Sequence, residues 1–312
     1  MTPKKWDVVV VGGANYDYLV RGSHLPGPGD TVQGETFQEA PGGKGANQAV
    51  AAARLGARVA FVARIGTDPH GDQIMERLAA EGVNTTRVIH DSDAPTGVAL
   101  VQVSEQGEKQ ILVAPGANRR LNMADIERAA PALETTHILL TQLEISLESV
   151  KAAVRLGGGS QAQIVLDPAP PLDLPDEFLR MVDVVKPNAG EAESLTGVKV
   201  QDRNSARKAA QQLLERGVKV VAIQAGDEGD LLVWPEREQW LPRLLVESVD
   251  ATGAGDAFAA ALAVALAEGR PLAEAGLFAN AAAALTTTKL GAQTALPRRQ
   301  EVQTLLARST AG

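Results

Sequence analysis

Cysteine is absent from this sequence of 312 residues, and aromatic residues make up only 3% of it. Without cysteine there are no disulfides, thiolate nucleophiles, cysteine-ligated zinc sites or iron–sulfur clusters, and a reducing compartment fits the composition. Long hydrophobic runs are lacking too, because the longest, within 257–267, is about half of the roughly 20 residues that a membrane span requires. The sequence therefore predicts no transmembrane helix.

An excess of positive charge is also lacking. The 30 Lys and Arg residues are outnumbered by 38 Asp and Glu residues, which gives a formal net charge of −8. That sign argues against general nucleic-acid binding. Lys4 and Lys5 ahead of Val8–Val11 only partly imitate a signal peptide, since four valines fall short of an apolar region of about 7–15 residues. We predict a buried strand at Val8–Val11 and a cytoplasmic protein.

Short runs of β-branched residues alternate with alanine-rich stretches of helical length. This alternation is typical of a mostly parallel sheet with helices on both faces, so we predict a three-layer α/β/α fold. No linker or internal repeat divides the chain, and we interpret residues 1–312 as a single domain. The predicted strands are 8–11, 59–63, 137–141, 164–167, 182–186 and 218–224.

Two segments, about 16–40 and 96–114, interrupt this alternation with a period of two residues. Such a period indicates β-strands, and a turn at 105–108 favours a hairpin, so we predict a small antiparallel sheet inserted into the α/β body. Over the carboxyl edge of the parallel sheet it would form a lid; the alternative is a packing role alone. Pairing of two lids would bury their exposed edges, which predicts a homodimer.

Motifs of several common enzyme classes are missing. No G-x-x-x-x-G-K-[ST] loop occurs, and no G-x-G-x-x-G follows the first predicted strand, which weakens Walker-type and Rossmann oxidoreductase interpretations. The histidines lack H-E-x-x-H spacing, and no G-x-S-x-G elbow is present. Zinc peptidase and serine hydrolase functions are therefore disfavoured.

The strongest local pattern is the turn Asp250-Ala251-Thr252-Gly253-Ala254-Gly255-Asp256, which leads into the apolar run 257–267. Backbone N–H groups from Gly253 through Ala254 and Gly255 to Asp256 would be the unpaired donors of a helix N-terminus, and they suit an anion such as a transferred phosphoryl group. A carboxylate beside that anion is explained as a base that accepts a proton from an attacking hydroxyl. The alternative is that Asp256 only caps the helix.

A second glycine-rich stretch, Pro41-Gly42-Gly43-Lys44-Gly45-Ala46-Asn47, precedes a predicted helix over 48–55. Its glycines keep side chains away from a surface, and Asn47 offers a sugar hydroxyl both a donor and an acceptor. A loop of this kind is also a common connector between elements.

Three further polar residues stand where predicted strands end. Asn15 and Asp17 would point to one face of an extended segment after the first strand, and Glu144 follows the strand 137–141. Each could hold a ligand hydroxyl. The alternatives are turn capping by Asn15 and Asp17, and a surface position for Glu144.

Together these stretches resemble the ribokinase-like, or phosphofructokinase-B, family of sugar kinases over essentially the whole chain. The segment from Gly42 through Asn47 to Gly66 is similar to the N-terminal signature of the family, and Asp250–Asp256 is similar to its C-terminal signature. Because the two signatures are separate and occur in order, chance agreement is improbable. Further similar segments lie between them, at 96–100, 115–118, 142–144, 167–170 and 187–191.

The resemblance implies transfer of the ATP γ-phosphoryl group to the 5-hydroxyl of D-ribose, with Asp256 as the base. Related kinases act on deoxyribose, fructose, ketodeoxy acids or nucleosides such as adenosine, and a sugar-binding regulator without catalysis is a further alternative. The resemblance implies contacts to the sugar from Asn15, Asp17, Gly43, Lys44, Gly45, Asn47 and Glu144.

The resemblance also implies a site for ATP and magnesium. Its residues would be Asn188 and Glu191 near the phosphates, Gln224, Gly226, Asp227 and Gly229 along the nucleotide, Gly255 at the phosphoryl group, and Asn280 near the adenine. Gln224 replaces a small hydroxyl residue, and Asp227-Glu228 stands where a basic residue is common. Either these two carboxylates point to solvent, or nucleotide preference differs from that of the family.

Potassium is the second cation that the resemblance implies. The ligands of a monovalent cation, mostly backbone carbonyls, would map to Asp250, Thr252, Thr286, Lys289, Gly291 and Ala295. Ala295 replaces a serine, so one side-chain oxygen is missing from this set.

Overall fold

Strands and helices alternate along most of the chain, as the sequence predicts. The computed structural model describes residues 3–225 and 228–310. The strands are β1 (Trp6–Val11), β2 (Asn15–Gly22), β3 (Gly34–Gly42), β4 (Val59–Gly66), β5 (Asn84–Asp91), β6 (Gly97–Ser104), β7 (Lys109–Ala114), β8 (Thr136–Thr141), β9 (Gln163–Leu166), β10 (Val184–Val185), β11 (Val220–Gln224), β12 (Gly229–Trp234) and β13 (Arg237–Pro242).

The helices occupy most of the remaining chain, with one 3-10 turn at Gly116–Arg120. They are α1 (Lys44–Arg54), α2 (Pro69–Ala80), α3 (Met123–Arg128), α4 (Ala130–Leu133), α5 (Leu147–Gly159), α6 (Asp176–Leu179), α7 (Ala189–Thr196), α8 (Arg203–Glu215), α9 (Ala254–Ala267), α10 (Leu272–Thr286), α11 (Ala292–Ala295) and α12 (Arg299–Thr310). In the described residues no helix is long and apolar enough to cross a lipid bilayer.

A nine-stranded sheet forms the centre of the fold, in the order β13-β12-β11-β10-β9-β8-β1-β4-β5. The strands from β11 to β5 are parallel, whereas β12 and β13 are added antiparallel at one edge. The residues that follow β1, β8, β9 and β10 therefore meet at one edge of the sheet. This carboxyl edge is where ligands of open α/β sheets bind.

Helices cover both faces of the sheet, which confirms the predicted α/β/α layers. Val8 and Val10 of β1 belong to a buried apolar cluster that includes residues of α1, α9 and α10, whereas Val9 and Val11 belong to a second cluster that includes residues of α5 and α8. All four valines are 0% exposed. Burial on both faces explains why β1 reads as an uninterrupted apolar run rather than an alternating one.

The two inserted segments form a separate four-stranded sheet, in the order β3-β2-β6-β7. The pairs β2–β3 and β6–β7 are antiparallel, as predicted, but the central pair β2–β6 is parallel, which the prediction of an antiparallel sheet missed. The reason is topological: β2 follows β1 and β6 follows β5, so both strands leave the carboxyl edge of the main sheet in the same direction. We call this second sheet the lid.

Hydrogen bonds from two tyrosines of β2 attach the lid to α2. The Tyr16 hydroxyl donates to Gln73 Oε1 at 2.7 Å, and the Tyr18 hydroxyl lies 2.6 Å from His70 Nε2. These contacts hold β2 beside the carboxyl edge of the main sheet. The lid therefore contributes residues to that edge rather than only extending the core.

Candidate active site

The turn before α9 has the geometry of an anion-binding helix N-terminus. Gly253 is the N-cap with φ of 82°, in the left-handed region that favours glycine, and α9 starts three residues earlier than the predicted run at 257. The Ala254 N–H donates to the Ala251 carbonyl at 3.2 Å, so this member of the predicted anion hole is already used. The N–H groups of Gly253, Gly255 and Asp256 remain available to an anion.

Asp256 does not cap α9, because its side chain points across the site to α1. Its Oδ2 accepts a hydrogen bond from Asn47 Nδ2 at 3.0 Å and its Oδ1 accepts one from Gln48 Nε2 at 3.1 Å. The residue is 5% exposed. Burial raises the pKa of this carboxyl above its usual value, although the Lys44 ammonium acts in the opposite direction.

A lysine and a second aspartate complete the centre of the site. Lys44 Nζ lies 3.2 Å from Asp167 Oδ2 and 3.9 Å from Asp256 Oδ1. Burial acts to lower the pKa of Lys44, but these carboxylates outweigh it and keep that pKa above its usual value. Gln48 also donates to Asp167 Oδ2, at 2.9 Å, so one network joins the two carboxylates.

Close packing of α1 on the end of β1 positions this network. The helix begins at Lys44, four residues before the predicted start, so Lys44, Gly45 and Asn47 lie in its first turn. A Cβ on Gly45 would lie 2.6 Å from the Gly13 carbonyl oxygen, and Gly43 has φ of 86°. Glycine is required at both positions.

The predicted sugar-binding residues come together above this network. The Lys44 N–H donates to Glu144 Oε2 at 2.8 Å, and Asn15 Oδ1 accepts from Asn118 Nδ2 at 2.8 Å. Burial and the Asp256 charge raise the pKa of Asp17 to about 7. Burial also raises the pKa of Glu144 to about 7, against the opposing effect of Lys44. The side chains of Asn15 and Asp17 therefore do not cap a turn, which was the alternative to ligand binding.

Buried polar atoms without hydrogen-bond partners concentrate here. Of the six such side-chain atoms among the described residues, four belong to the site: Asp17 Oδ1, Asn47 Oδ1, Gln142 Oε1 and Asp167 Oδ1. Proteins normally pair such atoms, so a cluster of them indicates a place where a polar ligand supplies the partners. Gln142 and Asp167 were not among the predicted site residues, although Gln142 directly follows the predicted strand 137–141 and Asp167 ends the predicted strand 164–167.

On the nucleotide side, Asn188 and Glu191 form a reciprocal cap at the start of α7. Asn188 Oδ1 accepts from the Glu191 N–H and Glu191 Oε2 accepts from the Asn188 N–H, each at 2.8 Å. Burial raises the pKa of Glu191, and the Asp167 charge adds to this. The cap accounts for this Asn–Glu spacing in the sequence.

The other predicted nucleotide residues are more dispersed. Gln224 ends β11 with an exposed side chain, Gly229 begins β12, and the Asn280 amide donates to the Pro242 carbonyl at 2.9 Å. Gly226 and Asp227 lie outside the described residues. Glu228 is exposed, which for this residue matches the first of the two alternatives, that the carboxylates point to solvent.

Lys186 is a buried cation at the phosphoryl end of the site, and the sequence analysis missed it. It follows β10, is 6% exposed, and its Nζ lies 3.8 Å from Asp167 Oδ1. A Cβ on Gly255 would lie 2.8 Å from the same Nζ, so the ammonium touches the anion-binding turn. The feature of the sequence that could have indicated it is a lysine at the end of the apolar run 182–186.

A cavity of about 60 Å³ connects this lysine with the nucleotide side. Lys186, Gln224, Asp230 and Gly255 line it. Burial raises the pKa of Asp230 to about 6, while Lys186 acts to lower it. A larger cavity of about 630 Å³ lies at the amino edge of the sheet, around Arg155 and Lys219, and contains none of the candidate residues.

Three of the six residues predicted to bind a monovalent cation lie together. Asp250 accepts hydrogen bonds from the Thr252 and Gly291 N–H groups, each at 3.0 Å. The side chains of the other three add no free oxygen, because the Thr286 hydroxyl donates to the Ala282 carbonyl, Lys289 pairs with Glu301, and Ala295 is buried without a side-chain oxygen. Their backbone stays near Asp250, whose N–H donates to the Thr287 carbonyl at 3.0 Å.

A buried carboxylate, an anion-binding helix N-terminus and two lysines lie at the carboxyl edge of an α/β sheet beneath a lid. This fold and this site define a kinase that transfers a phosphoryl group to a hydroxyl of a small molecule. The pfkB family carbohydrate kinase profile matches residues 5–299. The chain belongs to the pfkB family of carbohydrate kinases.

Curated relatives named as sugar kinases match most of the chain. The chain is 40% identical over 294 residues to "Ribokinase" of Haemophilus influenzae, covering 94% of this chain and 96% of that protein. It is 35% identical over 253 residues to "Deoxyribokinase" of Salmonella typhi, covering 81% and 83% respectively. The structure of Arabidopsis thaliana ribokinase complexed with ribose and ATP matches with a TM-score of 0.87 at 34% identity, over 98% of this chain and 99% of that one.

Proposed function

We propose that this protein transfers the γ-phosphoryl group of ATP to the 5-hydroxyl of D-ribose, as a single catalytic domain with a lid. The observation that carries the proposal is Asp256, which is buried, held by Asn47 and Gln48, and placed beside the free N–H groups of the turn before α9. Relatives named for ribose phosphorylation, and one solved with ribose and ATP, support the choice of substrates.

The sugar binds between the lid and α1. Asp17 and Asn47 each present an oxygen that has no partner within the protein, and Asn15 and Glu144 flank them. Sugar hydroxyls both donate and accept hydrogen bonds, so this mixture of amides and carboxylates complements a ribose ring. Gly43 and Gly45 keep side chains out of the same space.

Asp256 accepts the proton of the attacking hydroxyl. Burial raises its pKa, which makes the carboxylate a stronger base than an exposed aspartate. Its hydrogen bonds to Asn47 and Gln48 fix its orientation toward the sugar.

The transferred phosphoryl group lies against the N–H groups of Gly253, Gly255 and Asp256, with Lys186 beside Gly255. Donors fixed in advance stabilise the charge that develops in the transition state. Lys186 also supplies positive charge in a protein that has no Walker lysine.

A divalent cation such as Mg²⁺ accompanies ATP. Mg²⁺ is usually held by one or two carboxylates together with substrate phosphates and waters, and it would neutralise phosphate charge here. Asp167, whose Oδ1 has no hydrogen-bond partner, fits that requirement, and Glu191, which caps α7 through Asn188, lies near enough for the Asp167 charge to raise its pKa. No cluster of three His, Cys, Asp or Glu residues suited to a metal occurs in the described parts of the chain.

Potassium activation and a cytoplasmic location stay predictions from the sequence. The side chains of Lys289 and Ala295 supply no oxygen and the Thr286 hydroxyl donates to Ala282, so a potassium site here would depend on Asp250 and on backbone carbonyls. We therefore assign no step of the reaction to potassium.

A homodimer through the lid is the assembly we propose. Large apolar side chains are exposed on the lid, which is unusual for a sheet that faces water. They are Val20, Phe37, Leu100, Ile111, Leu112 and Val113. Light scattering at micromolar concentration should give twice the chain mass, and Phe37→Asp should shift it toward the monomer. A monomeric wild-type protein would contradict the dimer.

The substrate is tested by ADP release with Mg-ATP and a panel of D-ribose, 2-deoxyribose, fructose and adenosine. Turnover with D-ribose at the highest kcat/KM supports the proposal. The similarity to a deoxyribokinase makes 2-deoxyribose the second candidate, which a higher kcat/KM for that sugar would establish. Ribose binding without ADP release would instead indicate a sugar-binding regulator.

A further inference from the structure

Lys109 joins the lid to the loop that precedes the anion-binding turn. It is the first residue of β7, and its Nζ donates to Asp250 Oδ1 at 2.8 Å and contacts the Thr252 hydroxyl. The side chain of Asp250 is only 10% exposed. A carboxylate in that setting requires a positive partner or several hydrogen bonds, because removing its charge from water is costly.

The remaining partners of Asp250 are all neutral donors. Oδ1 accepts from the Thr252 N–H at 3.0 Å and from the Thr252 hydroxyl at 2.6 Å, and Oδ2 accepts from the Gly291 N–H at 3.0 Å. Lys109 is the one cationic side chain within 4 Å of Asp250 in the parts of the chain that the structure describes.

The surroundings of Asp250 suit an ammonium better than a bound potassium ion. Potassium exchanges its hydration shell for several oxygen ligands. The Gly291 N–H bonds to Asp250, and Ala295 has no side-chain oxygen to add, so a potassium ion here would depend on backbone carbonyls. A lysine ammonium is a compact single charge that needs only acceptors already present, here the oxygens of Asp250 and Thr252.

We propose that the ammonium of Lys109, delivered by the lid, is the built-in cation of the Asp250 loop and takes the place of the monovalent cation that the family resemblance implies. The inference deepens the proposed function, on which it rests for its meaning in catalysis. Closure of the lid, rather than uptake of potassium, then neutralises the loop that carries Gly253 and Asp256. Loss of Lys109 leaves Asp250 open to an external cation.

The test compares thermal unfolding in KCl and in tetramethylammonium chloride at equal ionic strength. Wild type should have the same Tm in both salts, whereas Lys109→Met should have a Tm about 2 °C or more higher in KCl. Lys109→Gln, measured alongside, should show the same gain. Lys219→Met, which removes an exposed lysine paired with Asp183 on the opposite side of the sheet, should behave as wild type. The double variant Lys109→Met/Asp250→Asn should lose the potassium-specific rise.

Two results would overturn the proposal. One is a potassium-specific rise in wild type as large as in Lys109→Met. The other is no such rise in either Lys109 variant. Because the readout is Tm, it stands apart from the kinase reaction, and D-ribose phosphorylation is measured separately in a buffer that contains potassium. Failure of that reaction alone would contradict the proposed function and leave the Lys109 result intact.

Discussion

The sugar side and the nucleotide side of the site differ in how their polar side chains are hydrogen-bonded. On the sugar side, Asp17 and Asn47 keep oxygens without partners, and their positions depend on contacts between residues far apart in sequence. On the nucleotide side, Asn188 and Glu191 satisfy each other within one helical turn, and Asn280 bonds to a backbone carbonyl.

This difference separates binding residues from supporting ones. Side chains with unpaired buried atoms carry a cost in the free protein that a ligand can relieve. Side chains paired locally contribute mainly to stability and position their neighbours. We therefore expect substitutions on the sugar side to affect the reaction more than folding, and substitutions in the cap of α7 to do the reverse.

The largest effect is expected for Asp256→Asn. Asparagine keeps the size of the side chain but cannot accept the proton of the attacking hydroxyl, so kcat should fall by about 10²–10⁴. ADP release with D-ribose measures it, and circular dichroism checks the fold. A variant that retains more than a tenth of wild-type kcat would show that Asp256 is not the base.

Lys186→Met should follow, with kcat lower by about 10²–10³ because one fixed positive charge beside the phosphoryl group is lost. The KM for D-ribose should change little, since Lys186 lies on the phosphoryl side of Asp167. Lys219→Met, which removes a lysine from the other edge of the sheet, is the control. A loss confined to the sugar KM would contradict this assignment.

Asp17→Asn should raise both the stability of the protein and the KM for D-ribose at pH 8, and the gain in stability should depend on pH. The folded protein holds the Asp17 proton up to about pH 7, whereas an unfolded aspartate releases it near 3.8, so wild-type stability falls as pH rises through this window. The variant should be more stable than wild type at pH 8, by up to about 4 kcal/mol, and the gain should largely disappear near pH 4.

Urea unfolding at the two pH values measures the Asp17 effect, and the KM for D-ribose should rise in the variant at pH 8. Equal stability of wild type and Asp17→Asn at both pH values would show that the carboxyl is not held in the costly environment described here.

The smallest effect is expected for Asn188→Ala. Loss of the cap should lower stability by about 1 kcal/mol, with a Tm lower by about 2–4 °C, and raise the KM for ATP less than tenfold. Asp202→Ala, which removes the cap of α8 away from the site, should lower Tm similarly with no kinetic change. An unchanged Tm together with a KM for ATP raised a hundredfold would show that Asn188 is a binding residue rather than a supporting one.

Local patterns explain how much of the fold the sequence could predict. Six of the seven parallel strands were predicted because burial on both faces makes them uninterrupted apolar runs, as in Val8–Val11. β5, β12 and β13 were not predicted, and the residues of β5 and β13 are largely polar, so their pairing is set by neighbouring strands. The parallel pairing of β2 with β6 could not be predicted, since it depends on where two distant strands leave the main sheet.

The site was predicted where its chemistry lies within a short motif. The turn 250–256 and the start of α1 could be recognised from glycine spacing, whereas Lys186 and Gln142 are single residues that become significant only beside Asp167 and Gln48. The Ala254 N–H is bonded to the Ala251 carbonyl within the turn. This bond depends on backbone geometry, so it could not be predicted from the sequence.

The central claim is transfer of phosphate to the 5-hydroxyl of D-ribose at Asp256. Carbon-13 NMR of the product formed from D-ribose and Mg-ATP tests it most directly. The account predicts phosphorus coupling at carbon 5 with wild type and no product with Asp256→Asn. Phosphate on another carbon, or product formed equally by both proteins, would contradict it.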